Sequence, residues 1–500
     1  MDSTVNTFYG IIQRNAQESG SQPAFITTNR TVTHQQFLDM VDMLSSGLSQ
    51  KGLSKGDRVC ILAQNSIDYF ALYGACARSG AIAFPINWRL SMEEIRQVLA
   101  LAEPTAFIVD DGNIAQIEGL DVGQVSIRAV MGDLSIEGFQ PLADLYNATP
   151  DPFPPVKGDD PFVILTTAAV EGVPRGAVLS HTNLLTAGDQ LISALSLTSQ
   201  DRHLAVLPLF HVTSLGLSLA TLQAGGANVL SERFDPGLAV QLMDTHQVTL
   251  LAAFPPVLTM LLDARQEAGA TWVSLKYVLG LDSPEVIQRL HEETRAVFWT
   301  GFGQSETSGV VTLIAVMEKP GSAGRPLPVV EVRCFDENGV EVPAGSPGEI
   351  VVQGPLVFRG YWRDRDATEY ASRHGWHHTG DLGRFDEQGY LYYMGRKPEK
   401  DLIKSGGENV YPAEVEHAIS TLPQVNAVCV IGVQDETWGE AVKAVVEVEP
   451  GATLTVEEVV QAVASRIASY KKPRTVEFVD AIPRTPDGHI DRQAVKDMYG

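Results

Sequence analysis

Four segments of the chain combine hydroxyls, glycines, acids and bases at spacings suited to a phosphorylated ligand. The first is Thr166 to Gly176 (TTAAVEGVPRG), directly after the apolar run Phe162-Val163-Ile164-Leu165. A small-residue loop at a strand end can bring backbone N–H groups up to a phosphate chain, with Arg175 as counter-charge. The same residues suit an ordinary strand-to-helix loop, since they match neither GxxxxGK nor GxGxxG and Glu171 would repel phosphate. The second segment, Thr300 to Thr307 (TGFGQSET), follows Val297-Phe298-Trp299. Its two glycines permit close approach to a planar ring, and Ser305 with Glu306 offers hard oxygen ligands for Mg2+; a glycine-rich turn with a solvated glutamate is the bland alternative.

The third segment is Trp376 to Asp381 (WHHTGD). Neighbouring side chains on a strand point to opposite faces, so His377 and His378 are a poor pair for one metal ion. Asp381, after a glycine, is better suited to accept from paired hydroxyls such as those of a ribose. The fourth is Ser405 to Glu416 (SGGENVYPAEVE). Gly406-Gly407 makes a tight turn that another molecule can approach, ahead of a helix starting near Pro412; a plain loop into a helix is equally compatible.

The elements that must position these segments alternate from about residue 57 onward. Arg58 to Leu62, Ala81 to Phe84, Phe162 to Leu165, Leu204 to Leu207, Val248 to Leu251 and Tyr277 to Leu279 read as strands, and helical patterns such as Ile67 to Arg78 and Met92 to Leu101 lie between most of them. Repeated β-then-α units predict parallel, doubly wound sheets with ligands at the carboxyl ends of the strands. Beyond residue 330 the pattern predicts hairpins, Val330 to Phe335 with Val340 to Val342, and Gly383 to Phe385 with Tyr390 to Tyr393. The charged, proline-bearing stretch near residue 400 reads as a connector. The expected architecture is α/β: a large N-terminal domain (1–397) of doubly wound sheets with a β-rich subdomain, a hinge (398–401) and a small mobile α+β domain (402–500).

Composition narrows the function. The chain has 500 residues, 44% hydrophobic and 20% charged, which excludes a disordered or disulfide-scaffold protein. Lys and Arg number 37 against 61 Asp and Glu, a net charge of −24, so nucleic acid and anionic membranes are poor partners. Cations for an anionic ligand must therefore be local. Cys60, Cys76, Cys334 and Cys429 form no CxxC pair and read as reduced, buried thiols. The uncharged apolar stretch Val248 to Leu262 is too short to span a bilayer and contains Pro255-Pro256. No signal peptide or C-terminal address is legible, and the expectation is a cytoplasmic protein, with a homodimer as the base-rate state.

Taken in order, the segments resemble the adenylate-forming superfamily of AMP-forming acyl-CoA synthetases, amino-acid-activating domains and luciferases. The resemblance runs nearly the whole length: Gly80 to Leu90 (GAIAFPINWRL), Pro208-Leu209-Phe210-His211, the loop 301–307, Gly348-Glu349-Ile350, Gly360-Tyr361-Trp362, Thr379-Gly380-Asp381, SGGENVYPAEVE, Trp438-Gly439-Glu440, Tyr470-Lys471-Lys472-Pro473 and Ile482-Pro483-Arg484-Thr485. It implies that a carboxylic acid attacks the α-phosphate of ATP with Mg2+ present. The small domain then rotates, and the thiol of coenzyme A displaces AMP. Carried over by position, Thr167, Gly172, Arg175 and Gly176 would belong to the phosphate loop. Gly301, Phe302, Gly303, Gln304 and Ser305 would line adenine and the α-phosphate, and Glu306 would hold Mg2+. Asp381 and Arg396 would take the ribose, Lys400 or Asp401 would be the hinge, and Gly406, Gly407 and Glu408 would form the thiol channel. His211, with Val212, Ala253 and Leu281, would border the acyl pocket. Phe210-His211, where amino-acid-activating domains usually resemble Phe-Asp, favours a simple carboxylic acid.

Three departures stand out. Against TSGTTGxPKG the phosphate loop keeps Thr167 but replaces two hydroxyls, a glycine and the lysine and adds an acid, and each lost contact could cost about 1.5–3 kcal/mol. His489 stands where the family places its adenylation lysine; its imidazole is shorter and can donate a hydrogen bond but supplies less charge than an ammonium. The connector between Gly395-Arg396 and Lys400-Asp401 is longer than the family pattern. Two readings follow: a working ligase, with Arg175, His489 or Lys496 covering the losses, or a catalytically impaired nucleotide- and acyl-binding regulatory protein. If the histidine is a handicap, His489→Lys raises acyl-adenylate formation in a pyrophosphate-exchange assay, and an unchanged or lower rate counts against that idea.

Overall fold

The computed structural model describes residues 5–149, 152–170, 173–231, 233–397, 402–485 and 488–500. Gly172 and the expected hinge 398–401, Lys400 included, lie outside the described residues.

The helix Ile67–Ser79 (IDYFALYGACARS) has no polar face, and every residue in it except Asp68 and Arg78 is buried. Such a helix must be covered on all sides. It shares one core cluster with two sheets: Val59, Ile61, Ala83, Ala106 and Phe162 from one, Phe25, Ala205 and Leu230 from the other. The first sheet has seven strands, in the order Gln140–Pro141, Ile127–Met131, Ala106–Asp110, Arg58–Leu62, Ile82–Pro85, Pro161–Val170, Val173–Ser180, parallel except for the last pair. The second has nine, in the order Arg325–Pro326, Thr312–Ala315, Val297–Thr300, Tyr277–Gly280, Leu250–Ala253, Arg202–Ala205, Ala227–Leu230, Pro23–Ile26, Thr31–Thr33. Its stretch from Val297–Thr300 to Pro23–Ile26 is parallel, as the β-then-α alternation requires.

An antiparallel four-stranded sheet follows: Glu331–Phe335, Gly348–Gln353, His377–Phe385 and Leu391–Arg396. The expected first hairpin is short: Asp336 N donates to Val340 O and Val342 N to Cys334 O, closing an isolated Phe335–Glu341 bridge on the outer edge, with Val340 60% exposed. The almost wholly buried Gly348–Gln353 takes the central position, because its apolar run can be covered on both faces. The small domain carries its own sheet, Glu408–Val410, Ile403–Ser405, Gly439–Val448 and Val425–Asp435 in order, with Thr475–Val479 parallel to Gly439–Val448. The helices Pro412–Ser420 and Val456–Ala464 cover it, and Val415, Ile419, Val430, Val442, Val459 and Val463 make a separate core.

Two motifs differ from their reading as loops. Thr166 and Thr167 lie within a strand, paired across a hairpin with Gly176 and Arg175, and Val170 pairs with Val173. Backbone groups expected to face a ligand therefore sit in a strand. Gly301 and Gly303 are small for a different reason than ring approach. A Cβ there would lie 2.0 Å from Thr312 O and 2.1 Å from Gly309 O, inside the neighbouring backbone. Gly301→Ala should therefore cost about 1–3 kcal/mol in urea unfolding through overpacking. Intact stability with a raised KM for ATP would instead assign the glycine to ligand approach.

Candidate active site

At the carboxyl ends of the parallel strands, the connections 206–211, 254–256, 281–283 and 301–306 converge on a cavity of about 1580 Å³. Asp381, Tyr393 and Arg396 of the four-stranded sheet and Gly406, Gly407, Glu408 and Trp438 of the small domain close it from the other side. Of the residues singled out from sequence, Thr167, His211, Gly301, Phe302, Gly303, Gln304, Ser305, Glu306, Asp381, Arg396, Gly406, Gly407 and Glu408 line this cavity. Arg175, Gly176, Ala253 and His489 are not part of the lining.

One wall is a polar clamp. Gln304 Nε2 donates to Thr379 O at 3.0 Å and to the Asp381 carboxylate, while its Oε1 accepts from His377 Nε2 at 3.2 Å. Asp381 pairs in register with Arg396, whose Nε lies 3.9 Å from Oδ1, and the Tyr393 hydroxyl reaches the same oxygen at 3.4 Å. The Tyr393 ring stacks on Phe302, with centroids 6.3 Å apart. A carboxylate beside an arginine, flanked by aromatic rings, can hold a diol next to a planar base. Glu306 faces the cavity from the turn Ser305–Thr307, and its Oε1 accepts from Tyr361 OH at 2.9 Å. Arg175 lies behind it: its Nε binds Asp364 at 3.1 Å and its guanidinium sits 5.5 Å from the Tyr361 ring. Tyr361 thus touches both the arginine and the glutamate.

The strand bearing Asp381 is fixed by Glu349. This buried carboxylate accepts from His378 Nδ1 at 3.0 Å, Arg373 at 3.0 Å, Lys397 Nζ at 3.2 Å and Gly380 N at 3.1 Å. The two adjacent histidines accordingly serve different partners, His377 the clamp and His378 this network. Burial would raise the Glu349 carboxyl, but His378 and Lys397 outweigh it and hold the group at about 2.

The other wall joins the domains. Glu408, 6% exposed, is a small-domain carboxylate seated among large-domain donors. It accepts from Asn87 Nδ2 at 3.1 Å, from Arg89, and from His211 Nε2 at 3.0 Å. Burial opposes its ionisation, yet His211 and Arg89 prevail and keep it at about 2. Gly406 (φ 59°) and Gly407 (φ 83°) carry the turn that delivers it, a backbone region that side chains other than glycine enter at a cost. A Cβ on Gly406 would also meet the Trp438 ring at 2.6 Å. Asn87, Arg89, Tyr361, Tyr393 and Glu349 went unread as functional residues. Gly348-Glu349-Ile350, Gly360-Tyr361-Trp362 and the stretch Gly80 to Leu90 held the signal for four of them, but no local spacing says which ligand or partner they meet.

Against known proteins, the AMP-binding enzyme family model matches residues 12–362, and that of the AMP-binding enzyme C-terminal domain matches residues 414–489. The chain belongs to this family, within the adenylate-forming superfamily. Feruloyl-CoA synthase from Amycolatopsis sp is 34% identical over 493 residues, covering 97% of this chain and 98% of the relative. Indoleacetate–CoA ligase from Aromatoleum aromaticum is 34% identical over 497 residues, covering 97% of each chain. Among solved structures, o-succinylbenzoate CoA synthetase from Bacillus subtilis aligns with a TM-score of 0.84 at 26% identity over 97% of this chain and 98% of that one. An amide bond synthetase from Marinactinospora thermotolerans aligns at 0.89 with 27% identity over 99% of both. The protein is an AMP-forming acid–thiol ligase of the acyl-CoA synthetase class. The regulatory alternative has no counterpart among these relatives.

The Glu349 network sets a pH prediction. A carboxyl kept at about 2 in the folded protein and near ~4.3 in the unfolded chain contributes about 3 kcal/mol at neutral pH. That contribution is full above ~4.3 and is lost as pH falls toward 2. Glu349→Gln should therefore be markedly less stable than the parent at pH 7, with the gap closing below about pH 4. Denaturant unfolding at both pH values checks this, and a gap independent of pH would assign the loss to packing.

Proposed function

We propose that this ligase activates an apolar carboxylic acid, aromatic or medium-chain, and transfers it to coenzyme A. The observation that carries the choice of acid is one wall of the cavity. Leu191, Leu207, Leu217, Leu279, Val310 and Leu313 belong to a single apolar cluster and all line it. Burying about 100–150 Å² of ligand hydrocarbon against such a wall is worth about 3 kcal/mol. An unpaired charge there would be expelled. The named substrates of the feruloyl and indoleacetate ligases are aromatic acids, which supports the aromatic branch.

In the first step an acid oxygen bonds to the α-phosphorus of ATP, and the bond to the β-phosphate oxygen breaks, releasing pyrophosphate. Asp381 and Arg396 hold the ribose, and Phe302 and Tyr393 flank the base. Glu306 fits Mg2+: one oxygen takes the Tyr361 hydroxyl, and the other has no protein partner among the described residues. The ion, when bound, would neutralise charge on phosphate oxygens. In the second step the thiol sulfur bonds to the acyl carbon, and AMP leaves with the electron pair of the broken C–O bond. A carboxylate accepts only, so Glu408 requires His211 Nε2 to carry a proton. In the neutral form of the ring, His211 Nδ1 is then left to take the thiol proton. Arg175 and His489 would meet the nucleotide only after the contacts around them rearrange. We place the protein in the cytoplasm: its four cysteines are free and buried, and no helix among the described residues is long and apolar enough to cross a membrane.

Mass spectrometry of reactions with ATP, Mg2+, coenzyme A and a panel of aliphatic and aromatic acids tests this reading. Aryl- or medium-chain acyl-CoA with AMP is the expected product. Turnover confined to charged or very short acids would overturn the apolar assignment, and adenylate without thioester would remove the coenzyme A step.

A further inference from the structure

A second contact crosses the two domains at the same cavity, through residues that belong to neither the clamp nor the acyl wall. Lys471, in the small-domain turn Ser469–Lys471, is 5% exposed. Its Nζ lies 2.6 Å from Glu94 Oε1 of the large domain and also binds Glu414, on the small-domain helix Pro412–Ser420. Glu94 is the N3 residue of the helix Met92–Ala102. Its Oε2 accepts from Ser91 N and, across the interface, from Ala468 N, each at 2.8 Å. Ser91 Oγ donates to Arg466 O at 3.0 Å. Two carboxylates thus share one ammonium out of water, and the surplus negative charge sits at the positive end of a helix.

The arrangement has a polarity. Lys471 and Glu414 belong to the same domain and stay together when the domains part, so Glu94 is the member that only docking supplies. The Glu408 contacts run the other way, with the acid on the small domain and Arg89 on the large one. Opposite pairs of reversed sense on the single segment Asn87 to Glu94 admit one seating and penalise a shifted one, because a shift would leave buried charges unpaired.

We propose that the Glu94–Lys471–Glu414 triad is the latch that seats the small domain with its Gly406–Gly407 turn against the cavity, making Lys471 a positioning residue for the thiol-transfer step. This rests on the ligase reading above. The triad predicts an unusual order of effects. Lys471→Met leaves two carboxylates facing each other, so acyl transfer from preformed acyl-adenylate to coenzyme A should fall by about 100-fold or more. Glu94→Gln keeps the capping acceptor and leaves a neutral Lys471–Glu414 pair, so its loss should be about 10-fold or less. Adding Glu94→Gln to Lys471→Met removes the repulsion, and the double variant should recover activity relative to Lys471→Met alone. Lys471→Arg should retain most of it.

Single-turnover assays on the full chain, with acyl-adenylate formation measured separately by pyrophosphate exchange, read these rates. Formation should stay within about twofold of the parent in every variant. Dyes on cysteines introduced at Leu134 and Met498, 58% and 64% exposed, report seating independently of activity, since the native cysteines are buried. Lys471→Met should broaden the energy-transfer distribution, and the double variant should narrow it again. Additive losses in the double variant, a rise in the KM for coenzyme A at unchanged kcat, or an unaltered distribution would overturn the latch. A parent protein that makes neither adenylate nor thioester would fail the ligase reading instead.

Discussion

Glu408 is a carboxylate buried at a boundary, and a buried charge that loses its partners costs several kcal/mol. Its partners, Arg89, Asn87 and His211, all belong to the other domain. The small domain can therefore sit in this position only if Gly406 and Gly407 deliver the carboxylate to that one spot. Much of the site follows from this constraint. It closes the cavity over the acyl wall, fixes the tautomer of His211, and brings Trp438 against the turn. The turn read from Gly406-Gly407 in the sequence is thus held by the partners of the carboxylate it delivers.

The proposed nucleotide side is organised differently, mostly within the large domain, with Arg396 also donating to Leu402 O of the small domain. Gln304, Asp381, Arg396 and Tyr393 constrain one another through direct contacts, and Glu349 fixes the strand beneath them. The phosphate side is less open. Thr166 and Thr167 are engaged in a hairpin, and Arg175 is engaged by Asp364 and Tyr361. In the arrangement described, the residues proposed for the second step lie together, and those expected to serve the first are not all in place. A site whose domain seating differs between steps would look like this, since an adenylate-forming and a thiol-accepting arrangement ask for different charges around the same phosphorus and carbon. The overall charge of −24 sharpens the need. Cations cannot be supplied by a general positive field, so each must be presented by a specific contact.

The alternation of apolar runs and amphipathic stretches made the parallel sheets legible, because each period reports burial of a local face. The ordered motifs were legible for the same kind of reason: glycines, acids and hydroxyls at short range report turns and loops. Val340 to Val342 shows the limit. Its alternation is as good as that of many strands, but the stretch lies on the outer edge with Val340 exposed and forms a single bridge rather than a ladder. Gly301 and Gly303 show another limit, because the backbone that forbids a side chain there comes from residues 309 and 312.

The sequence by itself determined the α/β class, the family, and the residue types available for chemistry, since these depend on composition, periodicity and local order. Tertiary structure alone decided that Arg89 and His211 would partner Glu408, that Glu94 and Glu414 would share Lys471, that His377 and His378 would serve different networks, and that Arg175 would face Asp364. Those pairings join residues tens to hundreds of positions apart. Desolvation sets their strength, and it exists only once the sheets have packed and water has been excluded.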